Sequence, residues 1–167
     1  MTSRAALIRP EVTSARRASV LTIAPRSTSL ANAAVVNCVA CAPILLSAGA
    51  DVNQLGVRGQ TALQNAAAYQ NLEFVRLLVE QGAQLDPQCA RGYTALMRAA
   101  ISYDRNPAVV KLLLARGART DLKEENGNTA LTLAYRFGEN DPIVQTLRAA
   151  KAPGSPEVVP VSASPAK

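Results

Sequence analysis

Histidine is absent from the 167-residue chain, and so is tryptophan. Without an imidazole there can be no Ser–His or Cys–His nucleophile and no histidine acid–base group. Zinc sites with a histidine ligand are excluded for the same reason. Aromatic residues make up only 4% of the chain, and its apolar content is mostly Ala, Leu and Val. That mixture suits closely packed helices better than sheets, which favour β-branched and aromatic side chains. No apolar run approaches the roughly 18 residues that a membrane-spanning helix needs. Neither a P-loop nor a G-x-G-x-x-G is present, so no nucleotide cofactor is expected. Cysteine is limited to Cys38, Cys41 and Cys89. Three is an odd number and does not read as a secreted disulfide framework. A reducing compartment, the cytoplasm, is the simpler expectation.

Acidic residues are nearly missing from one region. Residues 1–37 hold five arginines against Glu11 alone, whereas residues 38–152 hold twelve basic and ten acidic side chains. The net charge of +6 therefore belongs mainly to the N-terminal segment, and it is not evidence that the rest of the chain binds nucleic acid. An Arg-rich segment binding nucleic acid or an anionic surface is kept as the alternative reading. The scarcity of aromatics interleaved with basic residues weighs against it.

What the chain does have is an internal repeat. Thr61-Ala62-Leu63 returns 33 residues later as Thr94-Ala95-Leu96, and 35 residues after that as Thr129-Ala130-Leu131. Gly49-Ala50, Gly82-Ala83 and Gly117-Ala118 keep the same spacing, and Gly59, Gly92 and Gly127 each follow ten residues behind. Three landmarks in one register point to a stacked repeat architecture. Within a unit, Thr61 with Gln64 has the spacing of a capping box and opens a short Ala-rich helix. Asn71 opens a second helix over 72–81, and Gly82 sits where a left-handed C-cap is needed. Asn106-Pro107 and Asp141-Pro142 each place a cap before a helix-starting proline.

These residues resemble the ankyrin repeat. The segments that carry the likeness are GQTALQNAA (59–67), GYTALMRAA (92–100), GNTALTLAY (127–135), LEFVRLLVEQGAQLD (72–86) and AVVKLLLARGARTD (108–121), with GADVN (49–53) matching the family pattern letter for letter. The usual T-P-L-H departs to T-A-L followed by Gln64, Met97 or Thr132, so the helix-starting proline and the hydrogen-bonding histidine are both missing. The resemblance implies an all-α solenoid of stacked helix-turn-helix units with projecting β-turn or hairpin loops. Repeats fall at about 26–58, 59–91, 92–126 and 127–152. Residues 1–25 are expected as a disordered basic extension, with a transit peptide or an earlier degenerate repeat as alternatives. The Pro- and Ser-rich tail 153–167 is expected to be disordered. A transit peptide would make the location organellar.

In this register Cys41 falls opposite Phe74 and Cys38 opposite Asn71. Both cysteines read as structural, Cys41 as a small buried apolar residue and Cys38 as a filler at the helix start. Pro43 falls inside the second helix of the first repeat, which should therefore start late or be irregular. Leu112 reads as a core position. Asp104-Arg105 and Glu124-Glu125 read as solvated turn charges, with two extra residues lengthening the turn at 101–105. Arg148 and Lys151 make the last unit a polar cap.

No catalytic, metal or cofactor-binding set emerges, and the resemblance implies a non-catalytic module that binds another protein through its concave face. The candidates for that contact are Arg58, Tyr69, Arg91, Arg98, Tyr103 and Arg136. Arg58 and Arg91 hold equivalent loop positions, about 10 Å apart if neighbouring units pack like neighbouring helices. The expected partner is a protein, acidic or of mixed charge. Neither a small-molecule substrate nor a membrane span is expected, and the chain itself is expected to be monomeric.

Overall fold

The computed structural model describes residues 29–56 and 58–151. The expectations for residues 1–25 and for the tail lie outside the described residues. Eight α-helices and no strand occur among the described residues. They form four helix pairs: α1 (Ser29–Val35) with α2 (Cys41–Ser47), α3 (Ala62–Ala68) with α4 (Leu72–Glu80), α5 (Ala95–Ala100) with α6 (Ala108–Ala115), and α7 (Ala130–Ala134) with α8 (Pro142–Lys151). Each first helix packs on the first helix of the next unit, so α1, α3, α5 and α7 form one layer. In the second layer α4 packs on α6 and α6 on α8, whereas α2 packs chiefly on α1 of its own unit. The chain is an all-α solenoid.

The same local devices recur in register. Thr61, Thr94 and Thr129 have extended backbones and accept from the amides of Gln64, Met97 and Thr132. Each thereby satisfies an amide that the first turn leaves without a partner. At the other end of the second helices, Ala50, Ala83 and Ala118 donate to Leu45, Leu78 and Leu113. The glycine before each donates to Leu46, Val79 or Leu114. This double closure needs a left-handed residue, which is why Gly82 (φ 82°) and its equivalents occur there. Each loop is then pinched by two backbone bonds: the amides of Gly56, Cys89 and Glu124 donate to the carbonyls of Gln60, Tyr93 and Asn128, and those of Gly59, Gly92 and Gly127 donate back to the carbonyls of Gly56, Cys89 and Glu124.

Small side chains let the first helices approach closely. Ala31, Ala34, Ala62, Ala66, Ala67, Ala95, Ala99, Ala100, Ala130 and Ala134 are all buried. Larger residues fill the space between layers: Leu63, Phe74, Val75, Leu78, Leu96, Met97, Val109, Val110, Leu113, Ile143, Val144 and Leu147. Leu113 is the fully buried leucine of α6, and Leu112 is only half-buried, which corrects the expectation for Leu112. The one-residue difference matters because successive residues on a helix point about 100° apart.

Amide side chains tie one unit to the next. Gln64 accepts from the Thr61 amide and donates to the carbonyls of Pro87 (2.7 Å) and Tyr93 (3.0 Å) in the following loop. The buried cross-link of this unit is therefore made by Gln64, at the position where the family has histidine. Asn71 reaches the Ala34 carbonyl and Gln70 the Ala99 carbonyl, closing exposed helix ends across the repeat boundary. Asn53 accepts from the Gln84 amide and Asp86 from the Arg119 amide, at positions 33 residues apart.

Three further sequence expectations need correction. Cys38 and Cys41 form a disulfide instead of remaining separate thiols. The turn that brings Cys41 N to the Cys38 carbonyl sets their Cα atoms 5.3 Å apart, within disulfide range. Arg105 is not a solvated turn charge. It pairs in bidentate fashion with Asp141 (2.7 and 2.6 Å), donates to the carbonyls of Ala100 and Ser102, and lies 3.9 Å from the Phe137 ring centroid. Glu124 is buried, at 4% exposure, and is held by Asn126 and Asn128.

Pro43 occupies the third residue of α2, which starts at Cys41. Its missing N–H is one of those without an intrahelical partner at any helix start, so the first turn tolerates it. The helix begins two residues later than its counterpart α4, whose first residue, Leu72, is equivalent to position 39.

Candidate partner-binding groove

The loops and the first helices enclose two adjoining cavities. One, of about 320 Å³, runs between the first two units and is lined by Ala31 and Val35 of α1, Ala68 and Tyr69 at the end of α3, and Arg58 and Arg98. The second, of about 580 Å³, is lined by Arg58, Gln60, Arg91, Tyr93, Arg98 and Ile101. Arg58, Gln60 and Arg98 belong to both, so the cavities form one continuous groove. Among the described residues no carboxylate lines either of them.

Each cation reaches the groove for a local reason. Arg58 and Arg91 stand at the tips of pinched loops and are exposed. Arg91 has φ 71° and is followed by Gly92 at φ 75°, a pair of left-handed residues that closes the turn from Cys89 to Tyr93. Glycine pays nothing for that geometry, but arginine does. A Cβ at Gly92 would be strained by the left-handed backbone and would lie 3.1 Å from the Glu124 backbone, closer than an ordinary contact. Arg98 projects from α5 and is half-buried. Its guanidinium lies 5.6 Å from the Tyr93 ring centroid and 3.9 Å from Cys89 Sγ. Its Nε is buried without a hydrogen-bond acceptor. None of the three has an ion-pair partner among the described residues.

Four of the six sequence candidates are thus brought together: Arg58, Tyr69, Arg91 and Arg98. Tyr69 is 56% exposed at the edge of the groove. The other two belong to a separate group on the turns of the third and fourth units. Tyr103, 89% exposed, meets Phe137 edge-to-face at 6.3 Å, and the Arg136 guanidinium lies 5.5 Å from the same ring. Neither lines the groove. Gln60 and Tyr93 escaped sequence reasoning, although each lies directly between the recurring glycine and threonine of its repeat.

No cluster that could hold a metal ion occurs among the described residues. No helix among them is long and apolar enough to cross a membrane. The displaced pKa values lie outside the groove and are structural in origin. Hydrogen bonding from Arg105 holds the Asp141 carboxyl below the usual carboxylate range, helped by the Ile143 and Val144 amides. The loop amides of Asn126 and Asn128 do the same for Glu124.

A search of curated proteins finds no match to the chain. A family model describing ankyrin repeats (3 copies) matches residues 30–124, which spans the first three helix pairs and leaves the fourth pair, α7 and α8, beyond the matched segment. On the repeat register, the recurring caps and this match over more than half its length, the chain belongs to the ankyrin repeat family.

Proposed function

We propose that the protein is a non-catalytic interaction module that binds a partner protein through the groove on its concave side, with Arg58, Arg91 and Arg98 selecting acidic or mixed-charge surfaces. Ankyrin repeats generally mediate protein–protein interaction. The observation that carries the groove reading is that three arginines converge on one continuous cavity with no carboxylate among the described residues to neutralise them. Like-charged groups gathered this way raise the local concentration of an oppositely charged partner and speed its encounter. The scaffold is pre-organised by its repeated caps and cross-bonds, so little ordering entropy opposes binding.

The backbone cost at Arg91 supports the same reading. Strained residues persist where the surroundings enforce them, and they cluster at binding sites. The test is to capture the partner on the wild-type chain, purify it, and titrate it against Arg58→Glu/Arg91→Glu by calorimetry. Affinity should fall at least about tenfold, equivalent to about 1.4 kcal/mol, with no loss of melting temperature, because both side chains are exposed. Equal affinity in wild type and variant overturns the groove reading.

A further inference from the structure

The first unit joins its two helices through a pair of cysteines, where the other units use amide or guanidinium side chains. In the second unit Gln70, left-handed at φ 55°, reaches the Ala99 carbonyl, and Asn71 reaches the Ala34 carbonyl. In the third, Arg105 grips the Ala100 and Ser102 carbonyls. At the equivalent place in the first unit Asn37 keeps the left-handed backbone (φ 53°), but Cys38 stands where Asn71 would and closes on Cys41. That turn is therefore fastened by a bond that two electrons can break.

Its place in the fold makes the break both accessible and consequential. Cys38 and Cys41 are only half-buried, and they stand three positions apart. So short a loop adds little to the stability of the fold. By reciprocity the fold adds equally little to the resistance of the bond, which marks a disulfide that cellular thiols can reduce. What the bond secures is α2, which begins at Cys41 and buries only Ala42. The end of α2 in turn anchors the next loop, with the amides of Ala48, Gly49 and Ala50 on the carbonyls of Ile44, Leu46 and Leu45. That loop carries Arg58 to the groove.

We infer that Cys38 and Cys41 form a reversible thiol–disulfide switch, exchanging with glutathione, that sets the order of α2 and of the root of the loop carrying Arg58. On oxidation the thiolate of one cysteine attacks glutathione disulfide and expels a glutathione thiolate. The second cysteine, as thiolate, attacks the protein sulfur of the mixed disulfide and expels the other glutathione. Two electrons pass from the protein dithiol to glutathione disulfide, and the two thiol protons end on the two glutathione thiols. Reduction runs the same steps backwards and leaves α2 loosened. The switch stands independently of what the groove binds.

The test equilibrates the full chain in buffers of graded reduced-to-oxidised glutathione, traps the thiols by acid and alkylation, and locates them by mass. Cys38 and Cys41 should pass together from thiol to disulfide in one two-electron transition, within the span of ratios between a reducing cytosol and an oxidising compartment. Amide exchange of residues 42–50 should be about three- to twentyfold faster in the reduced chain, with residues 109–115 unchanged. Cys38→Ser/Cys41→Ser should show the reduced rates in every buffer, and Cys89→Ser should switch as the wild type does. A pair that stays oxidised, or stays reduced, across the whole series overturns the switch. So does a response that needs Cys89. Equal exchange in the two states of the wild type, or quickening spread through every helix, overturns the control of α2.

Discussion

The first and third repeats share one register and yet differ in how firmly they are built. In the third, α6 buries Val109, Val110 and Leu113. In the first, α2 buries only Ala42, and Ile44 is 59% exposed. Leu45 and Leu113 hold equivalent positions, but Leu45 is only half-buried. The third repeat has α4 on one side and α8 on the other, whereas α2 leans chiefly on α1. A repeat motif therefore encodes a shape, and its stability comes from the neighbours that cover it.

The turns of the two repeats differ in the same direction. The first closes α1 with Asn37 in the left-handed region (φ 53°) and then bridges Cys38 to Cys41. The third has no left-handed residue at that point. Its two extra residues bring in Arg105, which caps the Ala100 and Ser102 carbonyls and grips Asp141 of the next unit. One turn is stapled to itself and the other to its neighbour.

The widest gap between the two repeats should appear on truncating the equivalent leucines. Leu113→Ala is expected to cost about 2–5 kcal/mol, as fully buried leucines do, and Leu45→Ala about 1–2 kcal/mol, in line with partial burial. Urea unfolding of the two variants measures both, and equal losses would sink the contrast. Asp141→Ala comes next, at about 2–4 kcal/mol. It leaves Arg105 without its carboxylate and also strips the acceptor from the Ile143 and Val144 amides.

The same carboxylate makes the third-repeat side sensitive to acid. Asp141 and Glu124 both have carboxyls held below their ordinary range in the folded chain. Their contribution is complete above the unfolded values near pH 4 and is lost as the pH falls through the lower folded values. Melting temperature should therefore fall as the pH drops below about 4, and less steeply in Asp141→Asn. A parallel decline in both proteins would show that Asp141 has no part in it.

The smallest effect belongs to the first repeat. Cys38→Ser/Cys41→Ser opens a loop of only four residues, for which the chain-entropy account gives at most about 2 kcal/mol. Hydrogen exchange of residues 42–48 should quicken in the variant, and in the wild type under dithiothreitol, with residues 109–115 unchanged. Uniform quickening across both helices would erase the distinction between the two ends.

Much of this was legible in the sequence because it repeats. The Thr caps, the Gly closures and the loop spacing recur at 33 and 35 residues, so each local device confirms the others. Asp141-Pro142 also announced its cap correctly. What could not be read depends on stacking. Arg105 and Asp141 are 36 residues apart and meet only because the third turn rests on the start of α8. Glu124 and Glu125 are indistinguishable as neighbours in a turn, and folding back onto Asn126 and Asn128 buries only Glu124. The cysteine pairing depended on a turn geometry that C-x-x-C spacing permits without requiring. In the groove, the loop arginines were visible from their place before the repeat glycines. The convergence of Arg98 with them, and the separation of Tyr103 and Arg136, follow from side-chain direction.

The Arg105–Asp141 grip has a mechanical consequence. It ties the last two units together with a bidentate ionic bond backed by the Phe137 ring, whereas the side-chain hydrogen bonds across the joint between the first two units are single amide contacts such as Asn65 to Ala31 and Asn71 to Ala34. A chain stretched from its two ends would thus yield first at α2 and release the third and fourth units together, at higher force, as one piece.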